Sequence, residues 1–521
     1  MNNINNSSAL FRSLIVYAVC VPMAVFVGWT LTNPLDYQSI GFIGVLTAFL
    51  AFPLLMKWHY PLLIFSWACP ISLFFLPGHP NLFLPMVAVS LSISVVERIL
   101  NKEQAFVPSG GVTWPLIALL GVVIITAELT GGFGLRSMGS NVYGGKKYAT
   151  LIIGILSFFA IIARPIPRKK ANLYITLYFA GSFIFFLSDL YPIIPEPLHF
   201  IYLLIPLSDR GMDQFGDFQL QLGVTRLSGI AGTAGAVFYW MLARHGIRDI
   251  FLSGKPWRPL VLVISFLMIF MGGFRSSIIG ALIVFGLIFY LEKMHRTGML
   301  LVVILVGMMG GALLVPLASH LPFTFQRSLA WLPLKIDPEA RMDAEGSTQW
   351  RLDIWESLLP EVPKYLMLGK GYAFSAETFN ESMGRNATFQ KIIDPSQNPL
   401  ALSSDFHSGP LSVVITFGIW GVLVWLWYWA AGFRVVWRNY HYGDPALRHL
   451  NLMLYALFVA RVFGFLFIFG GVVEDVAAFA GIIGLSLALN HGVSGPKPQA
   501  KVSPVATNPR LAIPIRPAFQ R

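Results

Sequence analysis

An all-α, polytopic transmembrane helix bundle is the fold this sequence predicts, and three observations predict it. Hydrophobic residues make up 55% of the 521 and charged residues 12%, where a soluble chain carries roughly a quarter charged residues. Apolar runs recur at close to the ~20 residues that cross a hydrocarbon core as a helix. Basic connections alternate with poor ones along the chain, as a fixed orientation across a membrane requires.

The runs fall at 12–30, 39–56, 60–76, 81–97, 112–130, 148–163, 172–190, 226–243, 259–273, 275–291, 298–317, 408–430, 449–468 and 472–490. Read as one span each, they make about 14 spans (12 to 14). The short segment EPLHFIYLLIPL at 196–207 suits the membrane interface. The first run has no short h-region and no small-residue cleavage site, so it is expected to stay as an uncleaved span. Cys20 and Cys69 both lie in apolar runs and offer neither a disulfide framework nor metal-ligand spacing.

RPIPRKK (164–170), RHGIRDIFLSGKPWR (244–258), EKMHR (292–296) and FRVVWRNYHYGDPALR (433–448) all fall on one side. Positive charge in short connections marks the cytoplasm, so both termini are expected inside. Residues 1–318 then form an N-terminal membrane region of about eleven spans, 319–406 a periplasmic loop, 407–490 a C-terminal region of about three spans, and 491–521 a disordered cytoplasmic tail. The loop holds eight Lys/Arg against eleven Asp/Glu, or −3, which leaves +15 of the net +12 elsewhere. The basic excess is therefore topological, with an attraction to anionic membrane lipid, and gives no support to nucleic-acid binding.

With that orientation, three polar residues reach the outer face. His407 opens the span after the large loop. Arg275 sits in the glycine turn GGFRSSIIG, and Arg226 begins another span in VTRLSGIAGTAG. For any one of them an interfacial side chain snorkelling to the headgroups is the simpler account. Three on one face, at the ends of separate spans, point to a site. In the loop, STQWRLDIWESLLPEVPKYLMLGKGYAF (347–374) predicts an amphipathic helix that stops before Pro360, with Trp350, Ile354 and Leu358 on one stripe and Arg351 and Trp355 on another. The glycines of LGKGY predict a tight turn after it. Asp405, two residues before His407, either neighbours the imidazole or caps the span. Arg461 lies inside the run FVARVFGFLFIF and needs a partner, for which Glu474 and Asp475 across the Gly470–Gly471 turn are the candidates.

There is no Walker-type loop, HExxH, CxxC pair or DxD. Nucleotide hydrolysis, zinc proteolysis and metal-dependent sugar-nucleotide chemistry thus lack their usual sequence support, and no cofactor is expected. Arginines with one histidine suit an anionic substrate. The guanidinium fork matches phosphate oxygens and can stabilise a departing diphosphate, and a neutral imidazole can take a proton from a hydroxyl.

The ordered set RLSG, FRSS, WRLDIWESLLPEVPKYLMLGKGYAF and FHSGPLSVVITFGIWGVL resembles the O-antigen ligase and O-antigen polymerase superfamily over roughly Thr225 to Val424. The residues that carry it are Arg351–Trp355, the Leu368–Gly371 turn, and His407 with Gly418 and Gly421. Two positions depart from the pattern: Ser408 stands where asparagine is common, and Thr416-Phe417 where an acid often precedes the glycine. The resemblance implies an inverting, metal-independent glycosyl transfer at the periplasmic face of the bacterial inner membrane, from an undecaprenyl-diphosphate-linked glycan to an acceptor hydroxyl on a glycan or lipid, in lipopolysaccharide or exopolysaccharide biosynthesis. Carried over residue by residue, His407 would be the base or acceptor-positioning group, and Arg275, Arg226 and Arg351 would hold the diphosphate. Asp405, Trp355, Arg461, Glu474 and Asp475 would support them. Ligase, polymerase and protein glycosyltransferase all remain open. A transporter or flippase of a lipid-linked or anionic solute also fits the number of spans, with Arg461 in a coupling pair. Against it stand the lack of an internal repeat and the single large, asymmetric loop.

Overall fold

The computed structural model describes residues 17–18, 20–29, 32, 37–76, 78–103, 105–134, 142–207, 226–375, 377 and 406–496. Its helices are α1 (Cys20–Trp29), α2 (Tyr37–Ser66), α3 (Phe83–Leu100), α4 (Thr113–Leu129), α5 (Gly145–Ile162), α6 (Ala171–Ala180), α7 (Ser228–Leu252), α8 (Trp257–Ile269), α9 (Arg275–Leu291) and α10 (Met299–Leu317). Then follow α11 (Phe323–Ser328), α12 (Pro338–Leu358), α13 (Val362–Tyr365), α14 (Gly409–Tyr442), α15 (Arg448–Phe467) and α16 (Val472–Asn490). Two-residue strands β1 (Val142–Tyr143) and β2 (Phe374–Ser375) pair antiparallel. The chain is thus an all-α membrane protein. Seven of the described helical stretches are long and apolar enough to cross a membrane, and four shorter helices are apolar as well.

Two expectations about spans are corrected. The runs at 39–56 and 60–76 are not separate helices: α2 continues from Tyr37 to Ser66 through Pro53 and Pro61, and the stretch between the prolines holds no glycine that would turn the chain. The run at 408–430 belongs to a 34-residue helix with non-helical dihedrals at Gly418. The segment 196–207 forms a 3-10 helix over Glu196–Leu203. As expected, the α-helix α12 stops at Leu358, ahead of Pro360.

The core is built around α16, most of whose residues are buried. Small residues let its neighbours approach: Gly484 faces Ile161, Gly481 faces Trp67, and Gly154 of α5 faces Val476. At the opposite extreme α10 buries no residue, so its wholly apolar surface is left for lipid.

Tertiary contacts sort the connections onto two ends of the bundle. At one, Arg168 Nη1 lies 3.0 Å from Asp444 Oδ2, the Arg248 amide donates to Glu292 Oε2 at 2.8 Å, and His449 Nδ1 is 3.5 Å from Glu292 Oε1. The basic connections 164–170, 244–258, 292–296 and 433–448 therefore do share an end. At the other, β1 joins the α4–α5 connection to the segment after α13, and Arg327 Nη1 donates to the Gly273 carbonyl in the α8–α9 turn. The His407 ring meets Phe469, beyond α15, at 4.8 Å between centroids.

Candidate active site

The α8–α9 turn is one wall of the site. Gly273 adopts φ 66°, a left-handed conformation that closes the turn, and Arg275 follows as the first residue of α9. Its Nη2 donates to the Ala344 carbonyl and to Thr348 Oγ1, each at 2.9 Å. Arg226, just before α7, comes to the same turn: its guanidinium carbon lies 5.4 Å from the centre of the Phe274 ring, and the Leu227 amide donates to the Met271 carbonyl at 3.1 Å.

The second wall is α12, which does more than lie on a membrane surface. Asp337 caps it by accepting from the Glu339 amide at 2.8 Å. One face takes Arg275. Further along, Trp350 meets the His407 ring edge-on at 5.2 Å, and Ile354 and Leu358 pack on Phe406 and Ile415. Trp355 Nε1 donates to the Phe406 carbonyl at 3.0 Å. A single helix therefore carries the contacts of both the arginine turn and the histidine.

Arg351 completes the cluster. Its Nε is buried and has no hydrogen-bond partner among the described residues. Burial, followed by the charges of Arg275 and Arg327, pushes its guanidinium below the usual arginine range. Arg327 is the residue that the sequence did not single out. It is buried, its Nε is paired with Asp343, and Nη1 holds Gly273. It resembles the other basic residues of its loop in every local respect, and only its tertiary partners distinguish it.

His407 has φ 51°, a left-handed backbone that few non-glycine residues adopt, and its ring is clasped edge-on by Trp350 and Phe469. The N-cap position of α14 falls on Ser408, which makes no side-chain cap bond. Asp405, for which a capping role is also open, lies outside the described residues.

Behind His407, α14 is broken and repaired by the loop. Gly418 has φ 65° and ψ −162°. The carbonyls this frees, those of Ile415 and Thr416, accept from the Lys370 amide at 2.7 Å and the Gly371 amide at 2.9 Å, while the Ile419 amide donates to Leu366 at 2.7 Å. The LGKG turn thus replaces the missing turn of helix. Contact is too close for side chains: a Cβ at Gly369 would lie 2.3 Å from the Thr416 carbonyl oxygen. Lys370 is carried into this junction, and burial pushes its ammonium below the ordinary lysine range, partly opposed by Glu361.

Arg461 is paired with Asp475, which also accepts from the Gly471 amide at 3.0 Å. Of the two expected partners, Glu474 therefore takes no part: it is exposed, and no Arg461–Glu474 ion pair forms among the described residues. The Arg461–Asp475 pair spans the α15–α16 hairpin. Among the described residues no three His, Cys, Asp or Glu side chains come together as a metal-ligand group. A cavity of about 520 Å³ lies between Leu84 and Ala88 of α3, Tyr143, and Lys146 and Thr150 of α5. None of the predicted site residues lines it.

No curated protein matches the chain. Residues 260–426 match the family model described as O-antigen ligase, a stretch that runs from α8 through Arg275, Arg327, α12, the LGKG turn and His407 to the broken helix α14, so this part of the chain is similar to that family.

Proposed function

We propose that this protein is an inverting, metal-independent glycosyltransferase that moves a glycan from an undecaprenyl-diphosphate carrier to an acceptor hydroxyl. The family implies a glycosyltransferase-type membrane enzyme with a lipid-linked glycan donor and an acceptor. The observation that carries the finer reading is that α12 holds Arg275 at one point and the His407 ring, through Trp350, at another. Positive charge and a proton acceptor are thereby set on one scaffold.

In this reading Arg275, Arg351 and Arg226 receive the diphosphate. The buried, unbonded Arg351 Nε has unused hydrogen-bonding capacity for a phosphate oxygen. The acceptor hydroxyl oxygen attacks the anomeric carbon from the side opposite the diphosphate. The bond from that carbon to the phosphate oxygen breaks, its electron pair leaves with undecaprenyl diphosphate, and the hydroxyl proton passes to His407. The arginines stabilise the charge that develops on the leaving group. Arg327, pinned to Asp343 and Gly273, acts by holding the turn that presents Arg275.

The grouping of basic connections at the opposite end supports a site on the periplasmic face of the inner membrane, with both termini cytoplasmic. A cysteine at Gly346 should then react with an impermeant thiol reagent in intact cells, and one at Lys169 should not.

The decisive experiment reconstitutes the purified protein with an undecaprenyl-diphosphate-linked glycan and candidate acceptors. Transfer with release of undecaprenyl diphosphate is expected, and His407→Ala should abolish transfer while leaving donor binding intact. Movement of the lipid-linked donor across the bilayer without transfer would identify a flippase instead. Loss of donor binding in a folded His407→Ala protein would make His407 a phosphate ligand.

A further inference from the structure

At the end of the bundle opposite His407, the connection between α5 and α6 faces the connection between α14 and α15 across a cavity of about 450 Å³, lined by Arg168, Lys169, Asn172, Ala446, Leu447 and Leu450. That volume lies in the range of small-ligand sites, roughly 300–1,000 Å³. The two sides differ in chemistry. Leu447 and Leu450 are buried and apolar, whereas Arg168 and Lys169 are exposed cations and Asn172 a neutral hydrogen-bonding group.

The charge is not balanced from within. Asp444 is already engaged twice, with Arg168 at 3.0 Å and with the Ala446 amide at 2.9 Å. The nearby carboxylates are committed elsewhere, Glu97 to Arg164 and Glu292 to the Arg248 amide and His449. Among the described residues neither Lys169 nor Lys170 makes an ion pair. Two neighbouring cations, Arg168 and Lys169, therefore line a cavity beside a single, already shared carboxylate. An excess of positive charge at this end needs no cavity, and an interhelical cavity needs no charge. Their coincidence, with an apolar wall beside it, is what a bilayer phosphate can use, because the headgroup meets the cations while its chains follow the leucines.

We propose that this cavity binds a phosphate-bearing group, with Arg168 and Lys169 holding its oxygens. Two sources share that chemistry, the headgroup of an anionic phospholipid and a free phosphate ester, and the assay separates them. Binding here is independent of the transfer reaction proposed for the other end.

The full chain is reconstituted in nanodiscs of phosphatidylcholine with and without phosphatidylglycerol. Bound lipid is read by native mass spectrometry and thermal stability by melting. Parallel samples in phosphatidylcholine alone receive inorganic phosphate. Lys169→Gln removes a cation without touching the Arg168–Asp444 pair, and Arg168→Gln with Lys169→Gln removes both. Lys255→Gln, an exposed lysine in another connection at the same end, controls for general surface potential. The expected result is retention of phosphatidylglycerol, or a melting shift with phosphate alone. That affinity should fall roughly tenfold or more in the double variant, fall less in Lys169→Gln, and stay unchanged in Lys255→Gln. A shift with phosphate equal to that with lipid would make the site one for a soluble phosphate. Equal retention in wild type and the double variant, or an equal loss in Lys255→Gln, would overturn the proposal.

Discussion

The indole Nε1 of Trp355 donates to the carbonyl of Phe406 at 3.0 Å, so the residue before His407 is tied by its backbone to the helix that also receives Arg275. Phe406 is itself buried against Ile354, Leu358 and Ile415. The bond fixes the direction in which the chain enters the left-handed turn at His407.

Trp355→Phe keeps the packing and removes the donor, leaving a carbonyl without its partner at a cost of about 1–2 kcal/mol. In the reconstituted transfer assay this should appear as a roughly 5- to 30-fold lower kcat, with KM for the lipid-linked donor little changed. A rise in KM with kcat intact would assign Trp355 to donor binding.

The repaired helix break makes Gly369 and Gly418 intolerant of any side chain. Gly369 has φ 77° and a Cβ there would meet the Thr416 carbonyl, while Gly418 has φ 65° and a Cβ there would lie 2.7 Å from the Leu366 carbonyl oxygen. Alanine at either should destabilise by more than about 1–3 kcal/mol and lower the melting temperature in detergent. Gly346→Ala, within α12 and facing open space, should instead stabilise by about 0.5–1 kcal/mol.

Arg275 and Arg327 should separate by readout. Arg327→Ala leaves the partly buried Asp343 without its partner and frees the Gly273 carbonyl, a loss of up to about 3 kcal/mol visible as reduced folded protein. Arg275→Lys keeps the charge but is shorter and loses the guanidinium fork, so it cannot hold Ala344 and Thr348 with one nitrogen while offering others to a phosphate. Transfer should fall more than roughly tenfold at normal protein level, and full activity would return Arg275 to the role of an interfacial anchor.

Lys370 predicts a pH dependence. Burial lowers its pKa in the folded protein, so between that value and the ordinary lysine range the unfolded chain binds more protons than the folded one. Wild-type stability contributed by this group therefore rises with pH across that window, and the penalty is fully present below it. Lys370→Met should melt at a higher temperature than wild type at neutral pH, with the difference shrinking as pH rises. A difference independent of pH would mean that packing, and not the charge, sets it.

The sequence by itself determined the membrane class, most of the apolar helices, and the candidates His407, Arg226, Arg275, Arg351 and Trp355, because hydropathy and the cost of charge near lipid act residue by residue. It also determined where α12 stops, since Pro360 and the apolar stripe are local signals. Tertiary structure alone decided that Arg461 pairs with Asp475 and leaves Glu474 exposed, that Arg327 anchors the arginine turn, and that α14 breaks at Gly418 to accept the LGKG turn. The physical reason is distance along the chain. Gly273 and Arg327, or Thr416 and Gly371, satisfy each other only once the helices between them have closed, and nothing in the neighbourhood of either residue encodes which distant carbonyl it will meet.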